Sequence, residues 1–247
     1  MLWRTLLAVG IAALALVMIL GGGHARPRRE PHGTHAAAAA HVTVSHRAST
    51  DLKAAKLAAR HPTLTACPGR RVADRPQTLK LPSTLTVAFR CEMEALWKGI
   101  RTGKLAPAMP AFFPEAAYVQ VKAIFDPQVD WHERLVGHYA LDLKAAHALL
   151  GAAAATARLV RVIVPASFAH LVALNVCSNR DQYWETANSR LVYEEGGALH
   201  SLGIASMISW RGFWFVVHLG AVLEDGSTGV VDAPSSGVGV AAPSGTC

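Results

Sequence analysis

The residues whose side chains are best suited to binding a ligand lie in two neighbouring predicted strands near the end of the chain. These strands are Leu199–Trp210 and Phe213–Leu223. Alternation along Phe213–His218 is expected to place His218 on one face with Trp214 and Val216, and Ser206 across the hairpin from it. An imidazole on an apolar strand needs a hydrogen-bond partner, or its pKa falls below the usual value. The sequence therefore predicts ligand-binding residues at Trp214, His218 and Ser206. The alternative is that His218 is a core histidine whose ring is satisfied by its neighbours.

Other patterns do not assemble a catalytic or metal site. His132 and His138 are six residues apart, or roughly 240° around a helix, whereas zinc ligation from one helix needs histidines four residues apart. Glu133 and Asp142 are expected to be solvated charges on a helix face. No acidic residue occurs between Leu199 and Leu223, which removes the carboxylate base expected on central strands. We expect no catalytic residue, no metal and no cofactor.

The chain has four cysteines, Cys67, Cys91, Cys177 and Cys247. In an exported protein they are expected to form two disulfides. Cys91 lies off the apolar stripe of its helix, which favours Cys67–Cys91 with Cys177–Cys247. A Cys91–Cys177 pairing is the open alternative.

The chain begins with a segment typical of membrane targeting. Arg4 precedes an unbroken apolar run from Leu6 to Leu20, followed by three glycines. This length suits a signal peptide, and with the glycines it is just long enough to span a bilayer. We expect residues 1–25 to be a cleaved signal peptide or an uncleaved anchor through residues 6–23, with the rest of the chain extracytoplasmic.

Residues 26–78 are predicted to be a disordered stalk rich in His, Ala and Arg. Residues 26–80 contain 11 Lys and Arg against 3 Asp and Glu, with few large apolar side chains to bury. Such a stalk favours anionic lipid or wall polymer as a partner, and the lack of interleaved aromatic residues argues against nucleic acid. One feature argues against export. Basic residues directly after an apolar segment favour a cytoplasmic location for that side of the chain, and here they are Arg26, Arg28 and Arg29.

Residues 79–224 are predicted to form an α+β domain that starts with helices. One helix is expected to open at Pro82–Thr84 and to end at Gly103, and a second to open with capping-box spacing at Asp130–Glu133 and to end at Gly151. Between them, Tyr118–Val121 alternates like a short strand. The apolar stripes of the two helices are Leu85, Phe89, Met93, Leu96, Trp97 and Ile100, and Trp131, Leu135, Tyr139, Leu143, Ala146 and Leu150.

From Arg158 onwards the apolar period changes to two, which predicts antiparallel strands. The expected strands are Leu159–Val164, His170–Val176, Arg190–Tyr193, Leu199–Trp210 and Phe213–Leu223, with turns at 194–197 and 211–212. Helices followed by strands indicate an α+β fold with N-terminal helices packed on a curved antiparallel sheet. The Gly-, Ser- and Pro-rich residues 225–247 are predicted to be a disordered tail.

Several motifs resemble the nuclear transport factor two-like (cystatin-like α+β cone) superfamily. They are the stretch Leu96–Lys104, Phe112–Phe113 with Tyr118, and the closing turn Trp210–Gly212 before Phe213–His218. The resemblance implies a curved antiparallel sheet wrapped on helices, a fold that serves isomerases, polyketide cyclases and non-catalytic binding modules. The whole chain also resembles uncharacterised secreted proteins of high-GC Gram-positive bacteria.

The sequence thus predicts an exported or membrane-tethered domain of the cell envelope. We expect it to be non-catalytic and to bind a small ligand, an envelope component or a protein partner. The alternatives are a pocket enzyme of the isomerase or hydrolase type with the same fold, and a membrane accessory protein that faces the cytoplasm.

Overall fold

The computed structural model describes residues 75–221 and 226–241. Its helices are α1 (Val87–Thr102), α2 (Leu105–Ala108), α3 (Glu115–Val121), α4 (Pro127–Asp130) and α5 (Val136–Leu150). Its strands are β1 (Arg158–Ile163), β2 (His170–Val172), β3 (Tyr183–Thr186), β4 (Ser189–Glu195), β5 (Ala198–Ile204), β6 (Ser206–Trp210), β7 (Phe213–His218) and β8 (Ser235–Ser236). Helices followed by antiparallel strands confirm the predicted α+β class.

The predicted leader, residues 1–25, and the stalk up to residue 74 lie outside the described residues, as do Cys67 and Cys247. Within the described parts of the chain, we find no helix with the length and apolar character needed to cross a membrane.

Helix α1 begins later than predicted. Its N-cap is Thr86, whose hydroxyl accepts a hydrogen bond from the Phe89 amide at 3.1 Å. Leu85 precedes the helix and is 90% exposed, so it does not belong to the apolar stripe. The other stripe residues are buried, and Gly103 ends the helix at φ 61°, as predicted.

Residues 118–121 are helical, so the predicted strand there is wrong. Pro114 is the N-cap of α3, and Glu115 lies in its first turn, where a carboxylate is favoured. Tyr118 and Val121 are buried one helical turn apart. A pattern of only four residues is too short to distinguish a strand from one turn of a helix.

The second long predicted helix, in contrast to α1, begins earlier than predicted. Asp126 caps α4 through the Val129 amide at 3.0 Å, and Pro127 occupies a first-turn position, where its missing N–H costs nothing. A π-helical turn, Trp131–Leu135, joins α4 to α5. The predicted apolar stripe is buried along its whole length, and Gly151 ends α5 as expected.

The strands form two antiparallel sheets, with orders β1-β4-β5-β8 and β2-β3-β6-β7. The hairpin turns at Gly196–Gly197 and Arg211–Gly212 are confirmed, each with two consecutive positive φ angles. The predicted strand Leu199–Trp210 is instead divided at Ala205 into β5 and β6, one in each sheet. Strand β3 was not predicted. Two predicted strands are shorter than expected, since β2 ends at Val172 and not at Val176, and β7 ends at His218 and not at Leu223.

Helices cover both sheets, since α1 contacts β1 and α5 contacts β7. Two aromatic pairs strengthen this packing. Trp97 of α1 lies 5.3 Å from Tyr193 of β4 between ring centroids. Phe113, in the segment between α2 and α3, lies 5.8 Å from Phe215 of β7. Both contacts belong to the hydrophobic core, so this part of the prediction, helices packed on antiparallel sheet, agrees with the structure.

Residues 226–241 differ from the predicted disordered tail, because they pack on the domain. Strand β8 pairs with β5, and Val231 contacts the core. The Arg190 side chain, 1% exposed, donates to Ser201 Oγ at 2.6 Å and to the Ala233 carbonyl at 2.8 Å. Glycine and small residues here allow close approach: a Cβ on Gly229 would meet the backbone of Leu141 at 2.1 Å.

Asp142 joins α5 to this segment. Its carboxylate accepts the Leu219 amide at 2.9 Å and the Val230 amide at 3.2 Å, and also the Gly220 amide. The residue is 3% exposed, so the expectation of a solvated helix-face charge is wrong. Burial raises the pKa of Asp142 to about 6, although the backbone hydrogen bonds oppose the shift.

Candidate functional site

The predicted ligand-binding residues are divided between two faces of the β2-β3-β6-β7 sheet. Ser206 pairs directly with His218, whereas Met207 pairs with Val216, so a β-bulge adds one residue to β7. Trp214 pairs with Ser209. Because directly paired residues point to the same face, Ser206 and His218 come together and Trp214 lies on the opposite face. The predicted shared face of Trp214 and His218 is therefore wrong.

Trp214 is a core residue. It is 2% exposed, and its indole N–H donates to the Pro82 carbonyl at 3.1 Å. The same side of the sheet is covered by the chain that precedes α1, since the Trp184 indole donates to the Leu79 carbonyl at 2.7 Å. We therefore leave Trp214 out of the candidate site.

His218 lies in an electropositive, partly buried position. Burial, and then the charge of Arg134 and the neighbouring His138, lower the pKa of His218 to about 4. The two imidazole centroids are 6.4 Å apart. The buried Nδ1 atom of His218 has no hydrogen-bond partner among the described residues. The ring is therefore neutral at pH 7, and one of its nitrogens is buried without a hydrogen-bond partner in the described part of the chain.

A carboxylate reaches the same face from β3. Ser206 Oγ donates to Glu185 Oε1 at 3.2 Å, and His170 Nε2 lies 3.7 Å from Glu185 Oε2. Glu185 pairs with Ile208 of β6, which places it on the Ser206 face. The expectation that the central strands carry no carboxylate is wrong, because Glu185 lies on β3, next to β6 in the sheet. The available signal for that strand was its content of Tyr183, Trp184 and Thr186, residue types that favour strands.

The helices contribute a second polar group beside this face. Arg134 donates to Asp130 Oδ1 through Nε at 2.7 Å and to Asp130 Oδ2 through Nη2 at 2.5 Å. Its Nη2 also donates to the Tyr118 hydroxyl at 2.9 Å, and that hydroxyl donates to Asp130. The hydrogen bonds from Arg134 lower the pKa of Asp130, and burial raises the pKa of Tyr118. Arg134 lies in the π-helical turn and Asp130 directly precedes it. Such π-helical turns are frequent at functional sites.

Lys122 interacts electrostatically with both Glu185 of β3 and the Arg134–Asp130 pair of the helices. Its ammonium donates to the Cys177 carbonyl at 3.0 Å. Burial, and then Arg134, lower the pKa of Lys122, while Glu185 and Asp130 oppose the shift. We call these side chains the sheet-face cluster. Its members are Tyr118, Lys122, Asp130, Arg134, His138, His170, Glu185, Ser206 and His218.

The cluster pairs two carboxylates with two cations around the neutral imidazole of His218. Such a set can donate and accept hydrogen bonds to a polar ligand without a large net charge. Across residues 75–221 and 226–241, no group of three or more His, Cys, Asp or Glu side chains is placed to hold a metal ion.

Both described cysteines, Cys91 and Cys177, are disulfide-bonded. Their predicted partners lie outside the described residues, so the pairing stays a prediction.

Comparison of the chain with protein-family models, curated proteins and solved structures finds no match in any of the three.

Proposed function

We propose that this protein is an exported, non-catalytic binding module whose ligand contacts the sheet-face cluster at Ser206 and His218. The observation that carries the proposal is the buried, unpartnered Nδ1 of His218. A buried polar atom without a partner costs about 1–3 kcal/mol, and a hydrogen-bonding group on a ligand would remove that cost. A neutral imidazole favours a hydroxyl, carbonyl or amide group of the ligand over a fixed cation, because Arg134 and His138 already face the ring.

The fold that we propose for this function is the nuclear transport factor two-like cone. The chain runs from β5 through the single residue Ala205 into β6, and these strands belong to different sheets. This continuity supports one bent sheet surface around the helices. Contacts to both sheets, from Trp97 of α1 and from Phe113 in the segment between α2 and α3, support the same arrangement.

The proposed location is outside the cytoplasm, either secreted or anchored through residues 6–23. The apolar leader supports it, as do the disulfide bonds of Cys91 and Cys177, since disulfides persist in oxidising compartments. The basic stalk would then contact anionic lipid or wall polymer. Protease added to intact cells should remove the domain, and full protection of the domain would refute this location.

Native mass spectrometry tests the binding function. Protein purified from its own cells should carry a small-molecule adduct, and His218→Phe should lose it. His200→Phe is the matched control, because His200 is a partly buried histidine stacked on Tyr193 of the other sheet. An adduct retained by His218→Phe, or lost equally by both variants, would contradict the site.

A second function, a pocket enzyme of the same fold, is favoured by one specific observation. Glu185 hydrogen-bonds Ser206 on the face that carries His218, so a carboxylate and a neutral imidazole occupy one site, as acid–base chemistry needs. If this function is correct, Glu185→Gln should accumulate a bound molecule whose mass differs from that in the wild type. The same adduct in both proteins would support binding without turnover.

A further inference from the structure

An open groove of about 820 Å³ lies on the helical side of the domain. It is formed by the C-terminal half of α1, the end of α5 and the 3₁₀ turn Gly151–Ala155. It shares no residue with the sheet-face cluster. Its volume is within the range of about 300–1,000 Å³ that is typical of small-molecule sites.

The inner wall of the groove is apolar. Trp97 lines it and is fixed from behind by its ring contact with Tyr193. Ala152, Ala154 and Ala155 form another side with only methyl groups. These surfaces suit a flat or chain-like apolar body.

The groove also carries an excess of fixed positive charge. Arg101 is held by hydrogen bonds to the Ala154 and Ala155 carbonyls, both at 2.7 Å, and Lys98 is exposed on the same helix. Glu94 is the one acidic residue among the described residues that line the groove. His147 is oriented by Nδ1, which lies 3.2 Å from the Ile100 carbonyl and must donate to it.

Trp97 supplies a polar group as well. Its indole N–H is buried and has no partner in the described part of the chain. Native proteins rarely leave such a donor unsatisfied, and each instance calls for an explanation.

We propose that this groove binds an organic anion, a small amphiphile whose apolar body lies along Trp97 and the alanines. Its carboxylate or phosphate group pairs with Lys98 and Arg101. The charge of these residues selects an anion, and the apolar wall selects an organic body over a free inorganic ion.

Isothermal titration calorimetry of the purified, detergent-free mature protein tests the proposal with laurate, dodecyl phosphate and inorganic phosphate. We expect one equivalent of laurate or dodecyl phosphate to bind, and the tighter of the two identifies the head group. Inorganic phosphate should bind at least about 100-fold more weakly, because it buries no apolar surface. Lys98→Glu should weaken binding about tenfold through charge reversal, and Ala152→Trp, which fills the groove, should abolish it.

Two matched controls keep the test specific. Lys144→Glu reverses an exposed charge on α5, and Ala148→Trp adds a ring at an exposed alanine of the same helix, both outside the groove lining. Both should bind like the wild type and melt at the same temperature. Failure of both amphiphiles to bind would overturn the proposal, as would equal affinity for all variants or equal affinity for inorganic phosphate.

Discussion

The buried carboxylate of Asp142 makes a quantitative prediction about stability and pH. Replacing it with Asn keeps the shape and one acceptor oxygen but removes the titration. In the folded protein the pKa of Asp142 is about 6, against the ordinary value of 3.8 for an aspartate side chain in water. Because the folded pKa is the higher one, Asp142 contributes stability that is fully present below pH 3.8 and is lost as the pH rises through 6.

The magnitude follows from the shift. The difference between a pKa of 3.8 and one of about 6 corresponds to about 3 kcal/mol over the full titration, and the 3% exposure of Asp142 leaves little solvent screening. Because the unfolded side chain is already partly ionised at pH 4, the free energy of unfolding of the wild type minus that of Asp142→Asn should fall by about 2 kcal/mol between pH 4 and pH 7.

Urea denaturation of both proteins at pH 4, 5, 6 and 7 measures this difference. Glu133→Gln is the control, since Glu133 is an exposed acid next to α5 and should give a flat difference. A flat curve for Asp142→Asn would mean that the carboxylate is solvated, which would refute the packing described for residues 226–241. A rising curve would mean that the Leu219, Gly220 and Val230 amides stabilise the ion more than burial penalises it, which would refute the direction of the pKa shift.

Three further predictions concern single side chains. His218→Phe should give the opposite pH dependence: the folded pKa of about 4 lies below the unfolded value of about 6.5, so His218 contributes stability above pH 6.5 that is lost towards pH 4. The wild-type minus variant difference should therefore rise by about 3 kcal/mol over this range in urea denaturation, and a flat difference would place the ring in solvent. Trp214→Ala should destabilise by about 3–5 kcal/mol in thermal or urea unfolding, because the ring is buried in the core; a loss under about 1 kcal/mol would mean that this face is open. Arg190→Met should destabilise by about 1–3 kcal/mol and speed proteolysis within residues 226–241, because Ser201 and Ala233 lose their donor; an unchanged cleavage rate would argue that this segment is not held by Arg190.

Much of the helical part could be predicted from sequence because its signals are local. The apolar stripes of α1 and α5 follow the helical period, and the ends at Gly103 and Gly151 follow from glycine's access to positive φ. The errors at the helix starts arose where several capping residues compete. Thr86 and Asp126 cap the observed helices, whereas Asp130 is bonded to Arg134 and Tyr118.

The candidate site depends on non-local features that periodicity does not contain. The pairing of Ser206 with His218 was expected from the hairpin, but the bulge in β7 moves His218 to the face opposite Trp214. Glu185 enters the site only because the short strand β3 pairs with β6. The helix charges Arg134 and Asp130 are brought to the cluster by tertiary packing.

A crystal structure of the protein purified from its own cells would show whether the face that carries Ser206 and His218 binds a ligand. We predict electron density for a bound molecule with a polar atom about 3 Å from Nδ1 of His218. Density that instead shows this nitrogen bonded to a protein group, with no molecule on that sheet face, would refute the proposed site.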